Sequence, residues 1–224
     1  MALKSIQHAR RRLADEVYDQ LVAAIMRRDI GPEDRLVQEK LAAEMQISRT
    51  PVREALMRLE QEGVLTVSNR GSFKLYQMDD QEIRELYQSR AAVEGQAARI
   101  LAARQNPDEI ARLRNIIRLE EQKPHNSARD YFEANRDIHR AFVEMCGNRF
   151  LLEMFDLIWG KAQAFQLFAA IENLDLSKSL GDHMPLVDVI ESGDKTEALE
   201  VFTIHIQDGF ELQMDALNAA KSED

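Results

Sequence analysis

The sequence is poor in cysteine, in tryptophan and in long apolar runs. Its 224 residues include a single cysteine, Cys146, which excludes an intrachain disulfide and fits a reducing compartment. No stretch approaches the roughly 20 apolar residues that a membrane-spanning helix needs. The basic start of the chain is not followed by an apolar segment, so the sequence predicts no signal peptide. These absences favour a cytoplasmic protein that does not associate with a membrane.

Charge is distributed unevenly along the chain. The net charge is −10, but residues 1–78 carry 13 Lys+Arg against 11 Asp+Glu, which leaves 16 against 28 for the remainder. The acidic excess therefore belongs to the C-terminal part, and the N-terminal part is slightly basic. Because the local field near the phosphates decides affinity, the overall acidity does not exclude a DNA partner.

The most informative stretch is residues 48–59, which read SRTPVREALMRL. Ser48 or Thr50 can cap a helix, and Pro51 suits a first turn whose N–H groups lack helical partners. Apolar residues then recur at three- and four-residue steps, at Val52, Ala55, Leu56 and Leu59. This spacing predicts a short helix that buries one face.

The opposite face of that helix carries Arg49 and Arg53, one turn apart. A second helical pattern at 37–45 precedes it across a tight turn, and two short strand patterns follow at 65–67 and 73–75. Together these elements predict a winged helix-turn-helix. Surface arginines on a short helix usually form only a solvated face, but this combination favours insertion into a DNA major groove.

From residue 80 onwards the sequence shows only helical periodicity. We predict six helices, near 80–104, 107–122, 128–146, 149–172, 180–192 and 195–220. A bundle of about 145 residues is large enough to bury its own core. The predicted organisation is an N-terminal arm over 1–12, a winged helix-turn-helix domain over 13–76 and an all-helical domain over 77–224.

Three of the five histidines fall on apolar stripes of three different predicted helices. They are His139, His183 and His205, and Asn135 lies one turn before His139. A single inward histidine is more often a hydrogen-bonded core residue than a ligand. Three that face one interior are typical of a metal site with open coordination positions. The spacing alone leaves both interpretations open.

Arg90 and Glu94 likewise fall on the inward stripe of the 80–104 helix. One interpretation is an internal ion pair between them. The other is that Arg90 faces a pocket and binds the carboxylate of a small molecule through two parallel hydrogen bonds. Both interpretations remain open at this point.

Residues 34–75 resemble the GntR family of bacterial transcription regulators, through the motif SRTPVREALMRLEQEG and the Arg-Gly wing that follows it. The resemblance implies DNA contacts from the second helix and the wing tip, with Ser48 on a phosphate. The residues concerned are Ser48, Arg49, Thr50, Arg53, Asn69, Arg70 and Gly71. Glu39 departs from the pattern, because some relatives place a DNA-contacting arginine there.

The remainder resembles the FCD domain, the effector-binding half of FadR-type GntR regulators. The residues that carry this resemblance are Arg90, Glu94, Asn135, His139, Gly147-Asn148, His183, Gly193-Asp194 and His205. It implies that the three histidines and Asn135 surround a divalent ion, often zinc or nickel, at the floor of a pocket. Arg90 and Glu94 are then expected to bind an effector.

Two departures from the FCD pattern bear on this metal site. Asn135 stands where many metal-binding members have aspartate. Three imidazoles and an amide leave the ion at +2, whereas a carboxylate would leave it at +1. We therefore hypothesise that this site binds metal more weakly when no effector is present, and that an anionic effector strengthens metal binding more than it would beside an aspartate. Pro185 follows His183 closely, and it is expected to start the helix there and to displace that ligand.

The prediction as a whole is a mainly α transcription regulator, with the choice between repressor and activator left open. A homodimer, joined through the helical domains, would bind a palindromic operator with an affinity set by a small organic acid. Two alternatives remain open. A metal-dependent enzyme would need a general base, for which Glu94 and Asp208 are the inward candidates. The third possibility is a purely structural dimerisation bundle.

Overall fold

The computed structural model describes residues 13–27, 29–68, 71–125, 128–159 and 183–223. The chain divides into two compact units, Met1–Gln77 and Met78–Asp224, called here the N-terminal unit and the C-terminal unit. None of the helices within the described ranges has both the length and the apolarity needed to cross a membrane. The predicted arm over 1–12 lies outside the described residues.

The N-terminal unit is a winged helix-turn-helix, as predicted. Its elements are α1 (Leu13–Met26), α2 (Gln38–Glu44), α3 (Arg49–Gln61), β1 (Leu65–Val67) and β2 (Phe73–Leu75). The two strands are antiparallel, with Leu65 opposite Leu75, and Leu36 forms an additional bridge to Phe73. The wing is therefore attached to the segment that precedes α2.

The position of α3 follows from its buried stripe. Its four predicted apolar residues, Val52, Ala55, Leu56 and Leu59, are all essentially inaccessible to solvent. Ser48 occupies the N-cap position but forms no side-chain capping bond, so the predicted cap is right in position and wrong in its hydrogen bond. Gln46, with φ of 54°, turns the chain from α2 into α3, and Gly63, with φ of 75°, follows the helix end. Left-handed conformations of this kind end helices abruptly.

The C-terminal unit is all-helical over its described residues. Its helices are α4 (Asp80–Arg104), α5 (Pro107–Gln122), α6 (Ala128–Met145), α7 (Arg149–Trp159), α8 (Met184–Ser192) and α9 (Lys195–Glu223). The predicted extensions over 160–172 and 180–182 lie outside the described residues. Asp79 starts α4 with a capping box, and the Asn106 side chain accepts from the first N–H groups of α5.

One aromatic pair joins the helices that carry two of the candidate ligands. Phe142 of α6 packs edge-to-face on Phe202 of α9, with ring centroids 5.0 Å apart and planes at 89°. Both side chains are fully buried. Phe142 lies three residues after His139, and Phe202 lies three residues before His205. The aromatic contact therefore helps to set the relative position of the two histidines.

Candidate DNA interface and metal centre

The exposed N-terminal edge of α3 carries the predicted DNA contacts. Ser48, Arg49, Thr50 and Arg53 are all exposed, on a helix whose opposite face is buried. Arg49 Nη1 lies 3.0 Å from Glu39 Oε1 of α2, and these side chains are 70% and 61% exposed. A pair this open to water is weak and screened by salt, so Arg49 remains able to exchange its partner.

The wing turn is closed by its own backbone. Ser68 N–H donates to the Ser72 carbonyl at 2.7 Å, and Gly71 N–H donates to the Ser68 carbonyl at 2.9 Å. Gly71 has φ of 77° and is exposed with open space around its Cα, so a minor groove could approach it closely. Asn69 and Arg70, the other predicted contacts of the wing, lie outside the described residues.

The three predicted histidines come together in the C-terminal unit. His139 lies on α6, His183 directly precedes α8, and His205 lies on α9. His139 Nε2 is 3.2 Å from His183 Nε2 and 3.4 Å from His205 Nε2. Their candidate ligand atoms all lie within 4.8 Å of one another. We call these three residues the histidine cluster.

Glu94 fixes which nitrogen of His139 faces the cluster. Its Oε2 lies 2.5 Å from His139 Nδ1, and both side chains are about 1% exposed. Burial alone would raise the pKa of Glu94, but His139 and Arg90 outweigh that effect and lower it to about 2. An ionised carboxylate can only accept, so Nδ1 carries a proton, and Nε2 is the nitrogen that faces the cluster and would coordinate a metal.

The geometry of the cluster fits a metal better than it fits hydrogen bonding alone. His139 Nε2 can form one well-aligned hydrogen bond, as donor or as acceptor, yet two imidazole nitrogens approach it. Tetrahedral coordination with metal–nitrogen bonds of about 2.0–2.1 Å places ligand atoms about 3.3–3.4 Å apart, close to the two distances found here. The three histidines can therefore hold a metal ion, and the donor set alone does not identify it.

His205 is held in the neutral form that a metal requires. Burial lowers its pKa to about 2, and Arg90, together with His139 and His183 whenever those rings are protonated, acts in the same direction. A neutral imidazole keeps a lone pair for coordination, whereas a protonated one has none.

Asn135 and Pro185, the two residues that depart from the FCD metal-site pattern, lie near the histidine cluster. Asn135 is buried on the same face of α6 as His139, one turn earlier. Pro185 lies in the first turn of α8, which begins at Met184, as predicted. His183 nevertheless remains fully buried within the histidine cluster. The helix begins just after His183, and this side chain remains within 4.8 Å of the other two histidines at its candidate ligand atom.

Arg90 and Glu94 form the internal ion pair that the sequence left as one alternative. Arg90 Nε donates to Glu94 Oε1 at 3.1 Å, and both residues are buried. The guanidinium carbon of Arg90 also lies 4.2 Å from the centre of the Trp159 ring. Trp159 Nε1 donates to the same Glu94 oxygen at 3.3 Å. Both Glu94 oxygens are thus occupied within the chain, by donors from α4, α6 and α7.

Sequence reasoning missed two residues of this region and misplaced a third. Trp159 was not recognised as a partner of Glu94, since nothing in its local pattern indicates that contact. Gln213 of α9 was likewise not identified from the sequence, although it is deeply buried. Asp208 was predicted to face inward and is exposed, so it does not lie where the enzyme alternative needs a general base.

Comparisons with known proteins bear directly on these two sites. The family model described as bacterial regulatory proteins, gntR family, matches residues 13–75, and the FCD domain model matches residues 85–208. The chain is 27% identical over 192 residues to the Nta operon transcriptional regulator of Aminobacter aminovorans, a match that covers 86% of this chain and 90% of that protein. The solved structure of E. coli McbR/YncC shares the fold with a TM-score of 0.63 and 21% identity, covering 92% of this chain and 99% of that one.

A further solved structure is titled as the metal-free FCD domain of TM0439. It covers 64% of this chain and 99% of that chain, with a TM-score of 0.51 and 20% identity. The matching relatives are named as regulators and not as enzymes, which favours the regulator over the enzyme alternative. The chain therefore belongs to the gntR family of bacterial regulatory proteins, as a transcriptional regulator that joins a DNA-binding helix-turn-helix to an FCD domain.

Proposed function

We propose that a small carboxylate, bound at a metal ion in the C-terminal unit, controls the affinity of this regulator for its operator. The observation that carries this proposal is the convergence of three imidazole nitrogens beside a buried arginine. Buried ionisable groups with perturbed pKa values are concentrated at functional sites, which supports a ligand-binding role for this centre.

The histidine cluster and Asn135 are the proposed metal ligands. Three imidazoles and one amide suit a borderline ion such as zinc or nickel. When bound, the ion supplies a positive charge and an open coordination position for a carboxylate oxygen. Glu94 is proposed to orient His139 rather than to contact the effector, since both of its oxygens are already occupied.

Arg90 is the proposed second contact for the carboxylate. Its Nε is committed to Glu94, and the Trp159 and Tyr87 rings lie 4.2 and 4.9 Å from its guanidinium carbon. The aromatic rings and the ion pair restrict the plane of the guanidinium. Its outer nitrogens are then the donors proposed for the effector, with little rotamer entropy left to lose.

We propose that residues 13–76 form the DNA-binding domain. Residues 77–224 are the proposed effector-binding and dimerisation domain, and residues 1–12 the proposed N-terminal arm. Two copies of α3 would occupy the half-sites of a palindromic operator. The proposed contacts are Ser48, Arg49, Thr50, Arg53, Asn69, Arg70 and Gly71. Effector binding changes operator affinity only as far as the ligand prefers one conformation, typically ~1–3 kcal/mol.

The proposal can be tested without knowing the operator beforehand. Selection from random duplexes with the purified protein would identify the preferred DNA site. Titration of that complex with a panel of small acids, each with zinc present or removed by a chelator, should reveal acids that shift affinity by about 5- to 150-fold only when metal is present. If every acid acts equally with and without metal, the histidine cluster is not the effector site.

Arg53→Ala is expected to weaken specific operator binding by about 1–3 kcal/mol if Arg53 hydrogen-bonds a base. The variant should lose its preference for a particular base at only one position of the operator. Titration of the selected duplex and of its single-base variants would measure this. Arg118→Ala removes an exposed arginine of the C-terminal unit and serves as the control. A uniform small loss across all duplexes would instead place Arg53 on a phosphate.

Glu94→Gln is expected to reduce zinc affinity by roughly 10- to 100-fold while the chain stays folded. The amide can still accept from His139 Nδ1, but it no longer supplies the charge that makes that imidazole a strong ligand. Competition against a chromophoric chelator would measure the change. Glu200→Gln alters an exposed glutamate of α9 and should leave affinity unchanged. Equal zinc affinity in wild type and Glu94→Gln would remove Glu94 from its orienting role.

A further inference from the structure

A buried amide on α9 lacks a hydrogen-bond partner at one end. Gln213 is 2% exposed, and its Oε1 accepts from the Tyr87 hydroxyl at 2.6 Å. Its Nε2 is buried, and no acceptor within the described part of the chain reaches it. Exchanging the oxygen and nitrogen of the amide would leave the other end unpartnered instead, because Tyr87 can engage only one of them.

Such a group destabilises the protein unless something satisfies it. A buried donor that has left water without gaining a partner incurs the full desolvation penalty, so native proteins keep few of them. The Tyr87 bond also fixes the direction of the free end. Gln213 therefore presents a preorganised polar group inside an otherwise apolar contact between α4 and α9.

The position of Gln213 connects it to the histidine cluster. His205, Gly209 and Gln213 follow one another at four-residue steps and so share one face of α9. Gly209 has no side chain, and a Cβ there would lie 3.7 Å from Tyr87 Cε1. The Arg90 guanidinium carbon lies 4.9 Å from the same Tyr87 ring. His205 and Gln213 thus lie on either side of Gly209 on one face of α9, and the Tyr87 ring, with Arg90 beside it, packs against the position that lacks a side chain.

We propose that Gln213 binds the far end of the effector, which is an acid with a second hydrogen-bonding group on the carbon chain. This inference rests on the proposed carboxylate site at the histidine cluster. His205 and Gln213 lie about 12 Å apart along the helix axis at ~1.5 Å per residue. After metal bonds of about 2 Å and a hydrogen bond of about 3 Å, the remaining distance fits an acid of about four to six carbons.

Three five-carbon acids test this on the full-length protein loaded with zinc. Pentanoate lacks a distal polar group, 4-oxopentanoate offers an acceptor, and 4-hydroxypentanoate offers both a donor and an acceptor. Isothermal titration should show the two substituted acids binding wild type roughly five- to tenfold more tightly than pentanoate.

Two substitutions separate the role of the amide from its role in packing. Gln213→Met should abolish the advantage of both substituted acids. Gln213→Glu keeps an acceptor for Tyr87 but loses the N–H₂ donor, so it should lose the advantage of 4-oxopentanoate and retain that of 4-hydroxypentanoate. Gln207→Glu, an exposed glutamine on the same helix, is the charge-matched control and should behave as wild type.

The outcomes distinguish this inference from the function on which it rests. If all three acids bind wild type with equal affinity, or if the advantage survives in Gln213→Met, the assignment of Gln213 is wrong and the carboxylate site stands. If the zinc-loaded wild type binds none of the three acids, the carboxylate site and the assignment of Gln213 are both overturned.

Discussion

Phe142→Ala is expected to destabilise the C-terminal unit by about 3–5 kcal/mol and to weaken zinc binding in the same variant. Phe142 is fully buried, and its ring meets the Phe202 ring edge-to-face at 5.0 Å. Truncation removes that contact and leaves a cavity that long helices can close only in part. Since each ring lies three residues from a histidine of the cluster, the cavity should also loosen the relative position of α6 and α9.

Two measurements on one protein preparation test both parts of this expectation. Urea unfolding, followed by helical circular dichroism, gives the change in stability, and chelator competition gives the change in zinc affinity. Phe150→Ala removes a phenylalanine of α7 that is 58% exposed and should change stability by no more than about 0.5 kcal/mol. A large loss of stability with unchanged zinc affinity would mean that other contacts position the histidines.

The fold could be predicted from the sequence because its signals are local. Asp79 and Asn106 cap the starts of helices with their own side chains. The buried stripe of α3 is visible in the spacing of apolar residues between Val52 and Leu59. The burial of Arg90, Glu94 and the histidine cluster was predictable for the same reason. Each lies on an apolar stripe of its own helix, and periodicity needs no knowledge of neighbouring helices.

The partners of those residues were not predictable, because they depend on how the helices pack. Glu94 receives donors from three helices, and no local pattern places Trp159 next to it. Gln213 was missed because apolar periodicity gives no reason to place a polar side chain on the buried face of α9. That face runs through Ile206 and Phe210 to Gln213.

In the N-terminal unit, too, the position of a residue was predictable from the sequence and its partner was not. Glu39 was noted in the sequence as a departure from the family pattern that argues against a DNA contact from α2, but its partner was not predicted. The structure places it 3.0 Å from Arg49, across the turn between α2 and α3. If Arg49 contacts DNA as proposed, it must first leave Glu39, and a pair this exposed to water opposes that exchange only slightly.

His139→Ala is expected to have the largest effect on the metal site. It removes the ligand whose Nε2 lies nearest to both other histidines, and it leaves Glu94 buried without its closest donor. Leaving a buried acceptor without its donor typically reduces stability by about 1–3 kcal/mol, and by more when the acceptor is charged. Zinc affinity should fall well beyond the roughly 10- to 100-fold expected for Glu94→Gln, because a ligand is lost rather than its orientation.

The decisive result is whether the losses of zinc affinity in Glu94→Gln and His139→Ala are additive. Zinc competition and urea unfolding should be measured on wild type, Glu94→Gln and His139→Ala, with His125→Ala as a control that removes a histidine outside the cluster. If His139 is a ligand and Glu94 its orienting partner, adding Glu94→Gln to His139→Ala should cause little further loss of zinc affinity, because the orienting bond no longer has a target. Independent, additive losses would instead mean that Glu94 acts on the site by a route other than His139.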